Sequence, residues 1–525
     1  MIAEIYPLTR LPRKCTVFDY LVPEGMAVEV GDLVAILFRK QKMFGVVRRL
    51  KQTSDFKKLS AVTNIVYTKL LTEADLIRYE TIAANLAHAP AQVLYSAIQD
   101  GTAYKPNRKP KMEAARVAKP FSISRAESVH LSDALKSNAS FIQLSSEGQI
   151  ALALMLAKRH KHLLVVAPTA RLCEEVASYF PSALVMHGTT PQKQSKDTMV
   201  LWREQGGVLI GNKQATLLPT TKLDAVLVLE ATSDDYQFQK RNPRINPICS
   251  AELLAKAHGA KFILADLSLP AEPIPAAVQP IPSVRIIDLT NEQNRPHALI
   301  SQKALDLAKS ALQKGQKVLI LLNRRQSDAP DERATSTAQS ALGQLLQTPI
   351  AVYQVGQKSL SGSVHLVTES FFADLSPIEK HGYGAVINLL ADVSLSTSAD
   401  AAEITYRSLC KLAYFARRQG AECLVQSFNA SMFESMLDQE AFMEGKRTIK
   451  RKYRLPPFSN TVRIEQVADP ALVLTLLPDS IKPAAPDGAT IEFSCDPSLW
   501  KSLRSKFTSL PDSYTLTLTT THYEP

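Results

Sequence analysis

Between residues 140 and 430 short apolar runs alternate with amphipathic stretches. The runs include HLLVVA, GGVLIG, DAVLVLE, AKFILAD, KVLILLN and GAVINLL, and segments such as GQIALALMLAKRH and SQKALDLAKSALQKG lie between them. Unbroken apolar runs of this length fit strands covered on both faces, and the helical periods supply the cover. Strand–helix alternation predicts parallel sheets with right-handed crossovers. The interval is too long for one such sheet, and five prolines between Pro270 and Pro282 mark a division into two lobes.

The first hundred residues follow a different pattern. MIAEIYPL, VFDYLVP, LVAILF and MFGVVRRL read as strands, punctuated by the turn signals PEG and VGD. From Thr72 to Ile98 the period becomes helical. Residues 104–125 carry three prolines and seven basic residues against one acid, the composition of a linker. Beyond 430 a helical stretch is broken by LPPFSN, and the chain ends near the strand-like YTLTLTTT. The expected organisation is α/β: a small, mainly β domain at 1–103, a basic linker at 104–139, parallel-sheet lobes at 140–283 and 284–430, and a small α+β domain at 431–525.

Composition narrows the function. Hydrophobic residues make up 45% of the chain, as in a globular protein. No apolar run approaches the roughly 20 residues of a membrane span. MIAEIYPLTR lacks the pattern of a secretory signal, so a cytoplasmic protein without membrane partners is expected. The six cysteines, at 15, 173, 249, 410, 423 and 495, form no CxxC pair, which argues against a zinc site. Net charge is +11 and unevenly placed. Residues 1–125 hold 20 basic and 11 acidic residues, an excess of nine, and KRTIKRKYR at 446–454 has six basic residues and no acid. Concentrated positive charge favours polyanions.

The stretch DAVLVLEATSDDY, 224–236, is the first place to look for chemistry. Sites in parallel sheets gather at the carboxyl ends of strands. Nucleotide hydrolases often pair acids there, one for Mg²⁺ and one for water. Here Glu230 stands alone, followed by Ala231 and Thr232.

The order of segments resembles the PriA family of primosomal replication restart helicases from end to end. RLPRKCTVFDYLVPEGMAVEVGDLVAILFRKQKMFGVV is similar to the family's 3′-end DNA-binding domain. HGTT (187–190), VLIGNKQATLLP (208–219), PR (243–244), VLILLNRR (318–325), KLAYFARRQGAECLVQSFN (411–429) and RKYRLPPFSN (451–460) follow in the family's order. The lobes would then be degenerate RecA-like helicase lobes. The family's phosphate-binding GSGKT corresponds to FIQLSSEGQIAL, which has no lysine. Its DEEH corresponds to Leu229–Thr232, placing Leu229 in the metal-holding position and Glu230 in the water-orienting one. Its SAT corresponds to ADL at 265–267, and its glycine-rich coupling motif to VTESFFADL at 367–375. In the arginine motif the first position is Phe415 and the last is Arg418. The family's zinc insertion and winged helix have no counterpart, the latter being missing or truncated within the linker.

The resemblance implies a pocket for a DNA 3′ end at Phe18, Asp19 and Tyr20. An aromatic ring offers a base a stacking face, and a carboxylate accepts from a terminal hydroxyl. Strand alternation puts Phe18 and Tyr20 on one face and Asp19 on the other, so one aromatic can belong to the core. Arg39 replaces a family glycine and Ser60 a lysine, with Lys57 and Lys58 close by. Arg39, Lys40, Lys57 and Lys58, with Lys450, Arg451 and Lys452, are candidate phosphate contacts. Three functions follow. The first is a non-catalytic restart protein that binds forked or 3′-ended DNA and serves other primosome proteins as a platform, without a cofactor. The second is a divergent ATP- and Mg²⁺-dependent 3′–5′ helicase with Glu230 and Arg418 as remnants. The third is an interaction scaffold in replication or repair. For the first, a nucleoid-associated location is expected.

Overall fold

A computed structural model describes residues 1–525 except 16, 100, 106–108, 113, 138, 238–241, 293–294, 323–331, 355–356, 358, 374–380, 396–399, 485–488 and 525. Residues 323–331, where the stretch expected to lack the zinc insertion begins, lie outside the described residues. The architecture is the expected α/β one, with a mixed N-terminal sheet, two parallel sheets and a small antiparallel one. The chain forms two compact units: residues 1–266, 271–277 and 447–525 make the first, and 267–270 and 278–446 the second.

The first unit opens with strands β1 (Ile2–Pro7), β2 (Phe18–Leu21), β3 (Leu33–Phe38), β4 (Gln41–Lys51), β5 (Ser60–Ala61) and β6 (Asn64–Tyr67). Their order is β5-β2-β1-β4-β3-β6, antiparallel except for the β2–β5 pair. Two registers matter for function. Glu4 of β1 lies opposite Asp19 on one side and Arg49 on the other. Phe38 pairs with Gln41, so Arg39 and Lys40 form a two-residue turn, with φ of +48° and +64°. That is the primed hairpin turn, in which glycine or asparagine is usual.

Helix α1 (Glu73–Asn85) starts at Thr72, whose side chain and that of Asp75 form a reciprocal capping box. Helix α2 (Pro90–Ile98) follows. Arg78 of α1 is buried with Asp75 at 3.1 Å and donates to Thr216 O at 2.8 Å, while Arg203 donates to Leu70 O at 2.9 Å. These buried, charge-assisted bonds tie the N-terminal sheet to the segment that follows it.

That segment contains α3 (Arg125–Lys136), α4 (Ser146–Arg159) and seven parallel strands: β7 (Phe141–Gln143), β8 (Leu163–Val166), β9 (Leu184–Met186), β10 (Val208–Gly211), β11 (Ala225–Val228), β12 (Lys261–Asp266) and β13 (Ala276–Ala277). Their order is β13-β7-β12-β11-β8-β10-β9. Every residue of β8 and β11 is buried, as the unbroken apolar runs require. The unit closes with β20 (Asn460–Glu465), β21 (Ile491–Cys495) and β22 (Thr515–Thr519), antiparallel in the order β21-β20-β22. Here the indole of Trp500 donates to Asn85 O at 3.0 Å.

The second unit is a six-stranded parallel sheet: β14 (Arg285–Asp288), β15 (Lys317–Leu321), β16 (Ile350–Val352), β17 (Val364–Val367), β18 (Tyr383–Asn388) and β19 (Glu422–Ser427), in the order β14-β19-β18-β15-β17-β16. Among the described residues no helix is long and apolar enough to cross a membrane.

Candidate nucleic-acid interface

The carboxyl ends of β7, β12 and β11 lie side by side, the place where a parallel sheet gathers chemistry. Each end is closed by the chain itself. After β7, Ser145 caps α4 by accepting from Gly148 N at 3.0 Å. The carboxylate of Glu127, from α3, accepts from Ser145 N at 3.0 Å and from its hydroxyl. A helix amino terminus attracts anions, and here the anion is a side chain. A Cβ at Gly148 would crowd that carboxylate and make the Glu127 side chain shift. After β11, Leu229 is 1% exposed and belongs to the apolar core. Glu230 takes φ +46°, with its N–H donated to the buried Gln149 side chain at 2.8 Å. After β12, Asp266 is buried and accepts from Thr232 N and Oγ1, both at 2.7 Å. An incoming phosphate would have to displace Glu127, with no lysine in the FIQLSSEGQIAL segment to receive it.

The second unit has an analogous substitution. Phe415, in the helix Ala401–Gln419, stands 5.9 Å from Phe371, 5.5 Å from Phe372 and 5.6 Å from Tyr383, ring centre to ring centre. The position that a charged side chain would fill is thus one face of an aromatic cluster. Arg417 and Arg418 are exposed in the last turn of this helix, Arg417 over the Tyr414 ring at 4.6 Å.

The N-terminal sheet is organised around charge. Arg49 donates twice to Glu4, both at 3.0 Å, and Lys51 Nζ lies 3.0 Å from Glu4 and 2.8 Å from Asp19. The antiparallel registers bring these four groups together, and their charges cancel. The bonds from Arg49, helped by Lys51, hold the Glu4 carboxyl below its ordinary range. Those from Asp19 and Glu4 raise Lys51. Asp19 also accepts from Ser54 Oγ at 2.5 Å, and its side chain is only 6% exposed.

The three residues of FDY divide. Tyr20 is 3% exposed, donates to Leu37 O at 3.3 Å, and burial pushes its phenol up to about 12, so it serves the core. Phe18 is half-buried, edge-on to Phe38 at 4.8 Å, and Arg39 covers the Phe38 ring at 5.3 Å. Asp19 points to the opposite side, into the charge cluster. Arg39, Lys40, Lys57 and Lys58 are exposed, the last two on the loop that carries Ser54. That loop also presents Phe56, 68% exposed. Sequence reading passed over Phe56, Ser54, Lys51 and Glu4. A lone aromatic inside SDFKK was the available signal for Phe56, whereas the other three depend on strand register.

The basic segment after 446 is split in the same way. Lys450 is 8% exposed, and its charge acts on Glu272. Arg451 and Lys452 are exposed beside aromatic rings, Arg451 4.5 Å from Phe458 and Lys452 5.3 Å from Tyr453, itself 62% exposed. Three residues on consecutive helix positions cannot share one face, which is why Lys450 turns inward. Among the described residues no group of three or more His, Cys, Asp or Glu is placed to hold a metal.

Comparison with known proteins finds the same relationship. A model of the PriA 3′DNA-binding domain (3′BD) matches residues 10–99. Replication restart protein PriA of Rickettsia typhi is 20% identical over 337 residues, 58% of this chain and 52% of that protein. PriA of Rickettsia conorii is 21% identical over 356 residues, 62% and 53%. The chain therefore spans about half the length of the curated relatives it matches. Among solved structures, a DEAD box protein from Methanococcus jannaschii aligns with 13% identity and a TM-score of 0.32, covering 63% of this chain and 89% of that one. The DUF1998 helicase MrfA bound to DNA aligns with 11% identity and a TM-score of 0.37, covering 64% and 56%. The domain match falls on the charged N-terminal sheet, and the similarity to PriA replication restart proteins extends over more than half of the chain.

Proposed function

We propose that this protein binds forked or 3′-ended DNA and serves as a non-catalytic platform for other replication restart proteins, without ATPase or helicase activity. The N-terminal sheet recognises the DNA end, and the exposed basic residues of the same unit hold the backbone. No nucleotide, Mg²⁺ or zinc is required, and the protein acts at the nucleoid. The observation that carries this reading lies within one compact unit: a matched 3′-DNA-binding domain is joined to a lobe whose phosphate-loop position is filled by Glu127. Retention of the first and loss of the second describes a protein that binds DNA without turning over ATP.

Two measurements on one preparation test the proposal. Binding to forked DNA should weaken steeply with salt, as expected when several lysines and arginines displace counterions. An ATP titration, with and without DNA, should give no binding signal. Absence of fork affinity would sink the DNA part.

A divergent helicase is the second reading, favoured by Glu230, which keeps its place at the end of β11 in a left-handed backbone conformation. Such conformations cluster at functional sites. DNA-stimulated ATP hydrolysis that Glu230→Gln abolishes would establish this reading in place of the first.

A further inference from the structure

Asp19 carries both of its contacts on one oxygen. Ser54 Oγ donates to Oδ2 at 2.5 Å, and Lys51 Nζ lies 2.8 Å from the same atom. Ser54 belongs to the loop between β4 and β5. Its hydroxyl also accepts from Phe56 N at 3.2 Å, so one oxygen links the carboxylate to the loop backbone. The far end of the loop is anchored where Ser60 pairs with Tyr20 across β5 and β2. Between these anchors Phe56 projects outward, 68% exposed, next to exposed Lys57 and Lys58. The loop thus sets a serine hydroxyl on a nearly covered carboxylate and leaves an aromatic ring uncovered two residues later.

We propose that Ser54 holds the place of a nucleotide 3′-hydroxyl on Asp19, and that Phe56 is the stacking face for the terminal base. The inference rests on the end-binding reading above and adds two residues to it. A serine hydroxyl and a sugar hydroxyl are the same kind of donor, so exchanging one for the other on Oδ2 keeps the carboxylate satisfied. Release of Ser54 frees the loop to swing Phe56, whose π-face stacks on any base. Lys51 stays with Asp19 and offsets its charge, so the carboxylate tolerates a DNA strand nearby. A 3′-phosphate is excluded on two grounds: its ionised oxygens offer no donor, and its charge opposes that of Asp19.

The test is anisotropy titration of single-strand-tailed oligonucleotides ending in a 3′-hydroxyl or a 3′-phosphate. The unsubstituted protein, Ser54→Ala, Ser54→Thr, Phe56→Ala and Asp19→Asn are compared, with melting curves to confirm folding. Removing the competing hydroxyl in Ser54→Ala should tighten binding of the 3′-hydroxyl oligonucleotide by roughly 2- to 10-fold and leave the 3′-phosphate one unchanged. Ser54→Thr keeps the hydroxyl and should behave like the unsubstituted protein. Phe56→Ala should weaken the 3′-hydroxyl complex by roughly 5-fold or more. If Ser54→Ala changes neither affinity, or both equally, the surrogate role is overturned. If Phe56→Ala binds normally, the stacking role is overturned. If Asp19→Asn keeps the full preference for hydroxyl over phosphate, the end-binding reading itself fails.

Discussion

Glu127 and Ser145 meet at the first turn of α4, where the Ser145 backbone N–H donates to the Glu127 carboxylate at 3.0 Å. The PriA-type phosphate loop would present its backbone donors to a nucleotide at this turn. Here they are satisfied from within. If the proposed function holds, removing Glu127 exposes an unmet need of the fold rather than an ATP site. Glu127→Ala should destabilise the first unit by about 1–3 kcal/mol, the cost of leaving a buried donor without its acceptor. Denaturant unfolding measures the loss. An ATP titration of the folded variant should remain flat, since Leu229 and the missing lysine are untouched.

Phe415 and its aromatic neighbours lead to a matching expectation in the second unit. Phe415→Arg restores the residue type of the helicase arginine motif but puts a guanidinium among three rings. Loss of the edge-to-face contacts should cost about 1–3 kcal/mol and lower the melting temperature without conferring ATP hydrolysis. A stable variant with DNA-stimulated ATPase activity would show the lobe to be closer to catalysis than its packing implies.

The turn at Arg39 and Lys40 sets stability against binding. Both residues adopt positive φ, where a side chain clashes with its own backbone. Lys40→Gly should stabilise the hairpin by roughly 0.5–1 kcal/mol. If Lys40 neutralises a phosphate, the same change should weaken DNA binding uniformly across sequences and lower the salt slope by about one. A rise in melting temperature with unchanged DNA affinity would limit Lys40 to the turn.

His88 governs stability in mild acid. It is 6% exposed, and burial, with the Arg13 guanidinium, lowers it to about 4, opposed by the Gln92 side chain and the Asp512 charge. Folding keeps the ring neutral, while the unfolded chain takes up a proton below its ordinary 6.5. The unfolded state then binds more protons, so stability falls as pH drops from 6.5 towards 4. The fall is up to about 3 kcal/mol, and His88→Gln should flatten that slope in denaturant melts. Glu4 acts at lower pH. Its carboxyl is held below 4.5 by Arg49 and Lys51, so its contribution is present above 4.5 and is lost as pH falls through its lowered value.

Much of the fold could be read from the sequence, because the signals were local. The apolar runs at 163–166 and 225–228 are buried on both faces, and the mixed N-terminal sheet and two parallel sheets follow the strand–helix pattern. The positions that the resemblance assigns to the helicase motifs rest on order and spacing alone. The contacts made at those positions could not be read in that way. Glu127 lies eighteen residues before Ser145 in a stretch read as linker, and only the packing of α3 on α4 brings them together. The Glu4 cluster depends on two strand registers, and Lys450 differs from Arg451 only in the helix face it occupies.

The central claim is that this chain recognises a DNA 3′ end through Asp19 and does so without nucleotide. It is tested most directly by one equilibrium titration. Forks ending in a free 3′-hydroxyl or a 3′-phosphate are bound to the full chain at fixed salt, with and without ATP and Mg²⁺. The account predicts about tenfold or greater preference for the hydroxyl end, the value of one charge-assisted hydrogen bond, unchanged by ATP. Equal affinity for the two ends, or a preference that appears only with ATP, would contradict it.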